Sequence, residues 1–367
     1  MSDFSYWMAL SHLEGWRTER INRLIVSILQ DKKISFADFF NLNEADWHND
    51  FELTSNEATE LQRARKELPN YSFLAESLMN QGYNIIPINS DDYSPTLKSN
   101  LKLKFAPTLL YVKGNMQLLK ENSVAVVGSR NASATSLKFT RIIAQKCTKD
   151  YQVVVSGFAK GVDKQALDET LAAIGQSIIV LPQGIMTFSS GFRKYYSQIV
   201  QGDVLALSAF HPKVPWSVGL AMRRNTYIYG LAKTIYVAES DFKGGTWSGV
   251  LDGLKRGCEI FVRKPGKKEI NANDLLLLAG AKPVDNEGNM LSDEKSDLKN
   301  KLIELLSSHS FTCEEIVEKL ELKMEPVNFS VILSALDFIE RKRKNQQTIY
   351  SMREEKEFQP ELFESHE

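Results

Sequence analysis

Two short loops place cations directly after apolar strands. SVAVVGSRNASATS, residues 123–136, leads from an apolar stretch into a polar helix start, and SGFAKGVDKQA, residues 156–166, sets a lysine between two glycines. Turns of this kind present backbone N–H groups to anions, and an arginine fork suits phosphate. The residues that this pattern assigns to phosphate binding are Gly128, Ser129, Arg130, Ser156, Gly157, Lys160 and Gly161. Two alternatives stay open: Arg130 pairs with a carboxylate, and Lys160 belongs to an ordinary surface turn.

A third loop combines cations with aromatic residues. AMRRNTYIYGLA, residues 221–232, contains the cluster Arg223, Arg224 and Asn225, with Tyr227 and Tyr229 just beyond it. Single-stranded nucleic acid is bound by such a combination, because cations contact the backbone and flat rings stack on bases. The alternative is a helix with a solvated basic face.

A fourth loop, KGGTW, opens a helix with glycines. Gly244, Gly245 and Thr246 form a candidate backbone nest for an anion, whereas Trp247 is expected to pack in the core. The run KRGCEIFVRKPGKK, residues 255–268, then carries six cations against one glutamate. This run predicts a basic edge on a chain whose net charge is only −1.

Groupings typical of catalysis are missing from the sequence. The five histidines fall in different segments, and there is no HExxH, no Ser-His-Asp or Cys-His arrangement and no cluster of aspartates. GSRN has one glycine rather than GxGxxG, which disfavours a dinucleotide site. Asp163 and Glu239 are expected to cap helices or orient the arginines. We therefore predict a binding protein without catalytic residues, metal or cofactor.

Alternating strands and helices must position these loops. Apolar strands separated by amphipathic helices recur from about residue 72 to residue 263, which predicts an α/β fold with a mostly parallel sheet covered on both faces. Such a sheet binds ligands at the carboxyl ends of its strands. Residues 1–70 are predicted to form a helical accessory domain and residues 71–290 the sheet domain. Residues 297–352 suggest a winged-helix-like domain, and residues 353–367 a disordered acidic tail.

Composition indicates an intracellular setting. Three separated cysteines without a CxxC pair make a disulfide framework or a zinc site improbable. The N-terminus has no basic stretch followed by an apolar one, and no apolar run reaches the length of about 18 residues of a membrane helix. A cytoplasmic protein is the prediction.

Taken in order, these loops resemble the DNA-processing protein A (DprA/Smf) family. The resemblance covers roughly residues 72–265 and includes VAVVGSR, VVSGFAKGVDKQAL, VLPQGI, MRRN and VAES…GGT. It implies an extended Rossmann-like fold and binding of single-stranded DNA along the basic loops. It also implies a homodimer, a role in recombination or natural transformation with possible loading of RecA, and an N-terminal SAM-like domain. The carried-over positions are Arg130, Lys160, Arg223, Arg224 and Asn225. GGTW in place of a serine-rich loop, and PWSVGLAM before RRN, indicate a divergent member.

Two other functions remain open on the sequence. A nucleotide sensor or phosphoribohydrolase-like enzyme would use GGT, as the cytokinin-activating phosphoribohydrolases do, but Lys243 precedes it and Gly249 stands where their glutamate lies. A transcription factor would read a duplex through the winged helix while the sheet senses an effector. A role in the response to foreign DNA fits the first interpretation as well as recombination or uptake does.

Overall fold

The computed structural model describes residues 3–291, 297–344 and 346–353. The chain divides into two units. The first contains Met1–Asn273 and Ala281–Leu291, and the second contains Asp274–Gly280 and Ser292–Glu367. No helix in the described ranges is both long and apolar enough to cross a lipid bilayer.

Among the described residues of the first unit, nine strands form one sheet. They are β1 (Asn84–Pro87), β2 (Leu109–Gly114), β3 (Ser123–Val127), β4 (Val153–Ser156), β5 (Ser177–Val180), β6 (Val204–Ser208), β7 (Thr234–Val237), β8 (Glu259–Arg263) and β9 (Lys282–Val284). Their order is β1-β2-β6-β5-β4-β3-β7-β8-β9. From β6 to β9 all pairings are parallel, and β2 runs antiparallel to both neighbours. The predicted mostly parallel α/β fold is confirmed.

The order of the strands creates one crevice. The chain leaves β3, moves outward through β4 and β5 to β6, and returns to the other side of β3 as β7. Loops on either side of such a reversal diverge, so a ligand can enter between them. The GSRN loop follows β3 and the KGGT loop follows β7, which places both at this switch point.

Helices cover the sheet and precede it. Those of the chain before β3 are α1 (Asp3–Ser11), α2 (Thr18–Val26), α3 (Phe36–Asn41), α4 (Glu44–Phe51), α5 (Ser55–Asn80) and α6 (Pro95–Phe105). Those after β3 are α7 (Ala134–Lys149), α8 (Val162–Ala172), α9 (Ser189–Lys194), α10 (Tyr196–Gln201), α11 (Val218–Leu231) and α12 (Gly245–Lys255). The next helix, α13 (Asn273–Leu278), belongs to the second unit from Asp274 on. Short helical turns of other types lie at Ser27–Asp31, Met116–Leu119 and Ile185–Thr187. The buried Tyr195 separates α9 from α10.

The predicted boundary at residue 70 lies inside α5. This helix starts after Thr54, which caps it in a reciprocal pair with Glu57, and it continues through Pro69, with the buried Leu68 before the proline and the buried Leu74 after it. The buried Asn22 of α2 donates hydrogen bonds of 2.9 Å to the carbonyls of Leu103 and Ala106. The N-terminal helices and the sheet therefore belong to one unit rather than two.

A histidine joins the N-terminal helices to the sheet and gives a pH prediction. A hydrogen bond of 2.8 Å links Nε2 of His12 to the hydroxyl of Tyr111 on β2. Burial, with smaller contributions from His211 and Arg223, lowers the pKa of His12 to about 3. The unfolded chain therefore binds the proton first, near pH 6.5, and the free energy of unfolding falls as the pH drops below that value.

We expect His12 to account for a loss of about 1–2 kcal/mol between pH 7.5 and pH 5. Urea unfolding of the wild type and of His12→Gln at the two pH values measures it, with the exposed His309→Gln as the control. The loss is smaller in His12→Gln if the assignment is correct; identical pH profiles for the two proteins would contradict it.

The second unit has its own small sheet. Its elements after α13 are α14 (Asp297–Ser308), β10 (Phe311–Thr312), α15 (Cys313–Lys319), α16 (Pro326–Leu333), β11 (Ile339–Lys344) and β12 (Gln347–Met352), and the antiparallel strand order is β10-β12-β11. Thr312 caps α15, and Pro326 begins α16. The winged-helix assignment stays a prediction. Apart from Arg353, the acidic tail lies outside the described residues.

Candidate nucleic-acid interface

The predicted loops meet at the carboxyl edge of the parallel strands. They enclose a cavity of about 350 Å³ at the switch point, which we call the switch-point cavity. Beside it, an adjoining cavity of about 260 Å³ shares Arg130 and Arg224 with it. The predicted residues that line the switch-point cavity are Gly128, Ser129, Arg130, Arg224, Asn225, Gly244, Gly245 and Thr246. Gly157 and Lys160 line the adjoining cavity.

The GSRN loop is held so that its arginine faces solvent. The N–H of Ser129 donates to the carbonyl of Glu239 at 2.8 Å, and its hydroxyl donates to Asp241 at 3.0 Å while accepting from the N–H of Asn131. Ser129 is therefore buried and shapes the loop. Arg130 is exposed and, within the part of the chain that the structure describes, makes no ion pair. Its charge is available to a ligand, so the alternative of a carboxylate partner is not observed.

Glu239 stabilises the helix that follows the GSRN loop. Its carboxylate accepts hydrogen bonds from the N–H and hydroxyl of Ser133 and from the hydroxyl of Ser136, at 2.7–3.0 Å. These are contacts at the first turn of α7, as predicted. The Ser136 hydroxyl also accepts from the guanidinium of Arg263, which in turn pairs with Glu269. Arg263 is completely buried, so it does not belong to the exposed basic edge predicted for residues 255–268.

The SGFAKG loop packs against the GSRN loop through its glycines. Gly161 has a φ of +86°, and a Cβ there would lie 2.3 Å from the carbonyl oxygen of Ser129. Ser156 is fully buried, and its hydroxyl donates to the carbonyl of Asp163 at 2.6 Å. Ser156 and Gly161 therefore shape the loop. Lys160 is exposed, and no ion pair involves it among the described residues.

Arg224 lies below the surface rather than on it. It is 3% exposed, and its Nη1 lies 3.5 Å from Oδ2 of Asp163. Burial has the largest effect on the pKa of both groups. It raises the pKa of Asp163 and lowers the pKa of Arg224, and in each case their mutual attraction acts in the opposite direction. Nε and Nη1 of Arg224 have no hydrogen-bond partner in the described part of the chain. A buried arginine at the cavity wall thus retains free donors.

Asp163 orients this arginine but does not cap its helix. Gly161 occupies the N-cap position of α8, and the Asp163 carboxylate instead accepts hydrogen bonds from the N–H groups of Gly157 and Ala159. A Cβ at Gly157 would lie 1.1 Å from Nη1 of Arg224, so only glycine fits beside the guanidinium. The predicted capping role is therefore wrong, and the orienting role is confirmed.

The KGGT loop directs a helix N-terminus at the switch-point cavity. Gly244 is the N-cap residue of α12, with a φ of +98°, and no side chain caps this helix. The first N–H groups of a helix carry partial positive charge and favour an anion. Asn225 donates to the carbonyl of Gly245 at 3.1 Å and fixes the loop against α11. Trp247 is buried, as predicted.

The aromatic residues that were predicted to stack on bases do not reach the surface. Tyr227 and Tyr229 are 2% and 1% exposed, because the Tyr227 ring packs against Phe210 and the Tyr229 ring packs against Gly249 and Gly253 of α12. Arg223 is exposed but lies on the other side of α11 from the switch-point cavity, where its Nη2 donates to the hydroxyl of Thr18 at 2.9 Å. The two arginines therefore lie on different sides of α11, and the alternative of one solvated basic face is not observed.

A tryptophan, rather than the buried tyrosines, exposes an aromatic ring at this edge of the sheet. Trp216 is 49% exposed and lines the adjoining cavity with Lys160, Phe158 and Phe188. Trp216 lies in the segment that precedes RRN and was not among the predicted site residues. Its position in the sequence could have indicated a role: Trp216 lies between the end of β6 and Ser217, which caps α11. Residues that follow the strands of a parallel sheet face its ligand crevice.

Comparison with known proteins agrees with this architecture. A family profile described as "DNA recombination-mediator protein A" matches residues 84–295. The chain is 31% identical over 188 residues to the "DNA processing protein DprA" of Streptococcus pneumoniae, covering 47% of this chain and 66% of that protein. It is 31% identical over 181 residues to "Protein Smf" of Escherichia coli, covering 49% of this chain and 47% of that protein. The match thus spans about half to two thirds of these relatives.

A solved structure extends the similarity to the fold. The X-ray structure of DNA processing protein A from Streptococcus pneumoniae superposes with a TM-score of 0.56 at 25% identity, over 77% of this chain and 95% of that one. The resemblance inferred from the loops is confirmed by these matches. The chain belongs to the DNA recombination-mediator protein A family.

Proposed function

We propose that this protein binds single-stranded DNA at the carboxyl edge of its sheet and acts in DNA processing, in recombination, uptake or the response to foreign DNA. The proposal rests on the hydrogen-bond donors that surround the switch-point cavity. Arg130 has no ion-pair partner among the described residues, Arg224 retains free donors, and α12 directs its uncapped N-terminus at the same space. These are donors for a phosphate oxygen.

A single strand fits this surface better than a duplex does. Lys160 and Trp216 line the adjoining cavity, so a charge for the backbone and a flat ring for a base lie beside the first phosphate position. A duplex keeps its bases stacked inside and offers no face to such a ring, whereas a single strand exposes every base. Membership of a family named for mediating DNA recombination supports the same substrate.

The carboxylates nearest the cavity support binding rather than catalysis. Asp163 pairs with Arg224 and accepts from two N–H groups, Glu239 accepts from three donors at the start of α7, and the exposed Asp241 accepts from the Ser129 hydroxyl through one oxygen. A general acid or base needs a lone pair or proton directed at its substrate. Each of these groups instead holds a loop in place.

The nucleotide-hydrolase alternative is not favoured. Gly249 stands where those enzymes carry their glutamate and has no side chain to act as an acid or base, and a Cβ there would lie 3.1 Å from the ring of Tyr229. Family membership points the same way, to DNA rather than to free nucleotides. A RecA-type recombinase, a second copy of the chain and a cytoplasmic location stay predictions.

Fluorescence anisotropy of a labelled oligothymidylate tests the proposal. We expect tighter binding of the single strand than of a duplex of the same length, with affinity falling as salt rises, by a slope of about 0.7 per phosphate neutralised on a single strand. Absent or salt-independent binding of the single strand would overturn it, and a preference for the duplex would favour the transcription-factor alternative.

Replacing Trp216 tests the stacking part of the proposal. Base–aromatic stacking contributes about 1–3 kcal/mol per base, so Trp216→Ala is expected to weaken the single-strand affinity about 5- to 100-fold. Trp216→Phe keeps a ring and should retain most of the affinity. Because stacking involves no charge, the salt slope should be the same in all three proteins. An alanine variant that binds like the wild type would exclude this residue from the interface.

A further inference from the structure

A third cavity lies on the same edge of the sheet, beyond β6. It has a volume of about 270 Å³, and we call it the histidine cavity. Its walls come from the α1–α2 connection, the start of β2, the segment after β6 and one side of α11. The residues that matter for its chemistry are His12, Trp16, Thr18, His211 and Arg223. Pockets for drug-sized ligands measure about 300–1,000 Å³, so this one suits a single small group.

The histidine cavity offers neutral donors and acceptors. Nδ1 of His211 accepts a long hydrogen bond of 3.4 Å from the N–H of Lys213, which leaves the proton of the neutral ring on Nε2. That Nε2 has no partner in the described part of the chain. The His12 and His211 rings meet edge to face at 5.1 Å between centroids. Burial lowers the pKa of both rings, which are therefore uncharged at neutral pH.

The rest of its lining combines apolar and aromatic side chains with the hydroxyl residues Ser11, Thr18 and Thr108, and the cation Arg223 lies at the rim. Trp16 is partly exposed at the cavity, and the exposed Arg223 is held by the hydroxyl of Thr18. No group of three or more potential metal ligands occurs among the described residues, so the histidines are not arranged for a metal ion. A flat heterocycle with mixed donors and acceptors, attached to a phosphate, matches this combination.

The chain connects the histidine cavity to the proposed interface. The segment between β6 and α11 contributes His211 and Val214 to the histidine cavity and Trp216 to the adjoining cavity. On α11, the neighbouring residues Arg223 and Arg224 face the histidine cavity and the switch-point cavity respectively. A strand that passes over Trp216 therefore needs to cross only this segment to reach the histidines.

We propose that the histidine cavity holds one base of the bound single strand, with the adjacent phosphate at Arg223. This inference rests on the proposed function, and it assigns the N-terminal helices a part of the binding surface, because His12, Trp16 and Thr18 belong to the α1–α2 region. The base inserts between the imidazoles and the indole, while the strand continues over Trp216 to Arg130. Accordingly, the base at this position contributes to affinity in addition to the charge of its phosphate.

Abasic scanning combined with a protein variant tests the inference. An oligothymidylate of about 15 nucleotides is prepared with one abasic site at successive positions, and its affinity is measured for the wild type, for His211→Ala and for the exposed control His309→Ala. We expect one or two adjacent positions at which the abasic site weakens binding by about 10-fold in the wild type and in the control. His211→Ala should lose about the same factor with the intact strand and be insensitive to the abasic site there.

The outcomes separate this inference from the proposed function. If the strand binds and Arg130→Ala weakens it, but no abasic position couples to His211, the base site is overturned and the proposed function stands. If no single strand binds, both fail. If only free thymidine monophosphate binds at His211, without coupling to the strand, the base site is overturned as well. Should His211→Ala lose its cooperative thermal unfolding, Trp16→Ala provides the same cycle.

Discussion

Replacing Arg130 by alanine is expected to weaken single-stranded DNA binding about 10- to 100-fold without changing the stability of the fold. The side chain is exposed and has no ion-pair partner within the described ranges, so its removal breaks no ion pair there. A hydrogen bond between charged groups contributes about 1.5–3 kcal/mol, which converts to this loss of affinity. The slope of log affinity against log salt should fall by about 0.7, because one fewer phosphate is neutralised.

Two variants sharpen this prediction. Arg130→Lys keeps the charge but loses the fork that contacts phosphate bidentately, so we expect the wild-type salt slope with an intermediate affinity. Arg141→Ala is the matched control, since Arg141 lies on α7, is half exposed and pairs with Glu169 at 3.6 Å. Equal affinities and slopes for wild type, Arg130→Ala and Arg141→Ala would remove Arg130 from the interface.

Replacing Asp163 by asparagine is expected to reduce the free energy of unfolding by about 3–5 kcal/mol. The substitution leaves the buried guanidinium of Arg224 without its counter-charge, and the guanidinium stays protonated and charged. The displaced side chain would also disturb the wall shared by both cavities. Urea unfolding, followed by far-UV circular dichroism, measures the change.

The control for this prediction is the exposed pair of Lys32 and Asp50. Asp50→Asn removes the same charge from a surface ion pair of 2.8 Å, and it should cost about 0–1 kcal/mol. The double variant Asp163→Asn with Arg224→Met removes both buried charges and should recover part of the stability. If Asp163→Asn unfolds at the same urea concentration as Asp50→Asn, the buried pair does not hold this edge of the sheet together.

Local patterns in the sequence predicted the sheet and the positions of its loops. Apolar strands that alternate with capped helices leave few topologies, and glycines at Gly128, Gly161 and Gly244 mark the turns where helices begin at the sheet edge. The cations at Arg130 and Lys160 were therefore assigned to the correct edge. The strands, the turns and these two cations could be predicted because each depends on residues that are close together in the sequence.

The spacing of residues in the sequence could not predict which side chains are buried. Arg224 is buried because Asp163, from a different loop, supplies its counter-charge, and Arg263 is buried because Glu269 and Ser136 bind it. Tyr227 and Tyr229 lie inside because Phe210 covers the first ring and α12 covers the second. Each of these outcomes depends on contacts between distant segments. The docking of the N-terminal helices through Asn22 likewise depends on carbonyls far along the chain.

The most direct measurement is a crystal structure of the protein with an oligothymidylate of about six nucleotides. The central claim is that a backbone phosphate lies in the switch-point cavity. We expect one phosphate within hydrogen-bond distance of the Arg130 guanidinium and of the first N–H groups of α12, and a base against Trp216. A strand bound elsewhere on the protein, with the switch-point cavity free of phosphate, would contradict the claim.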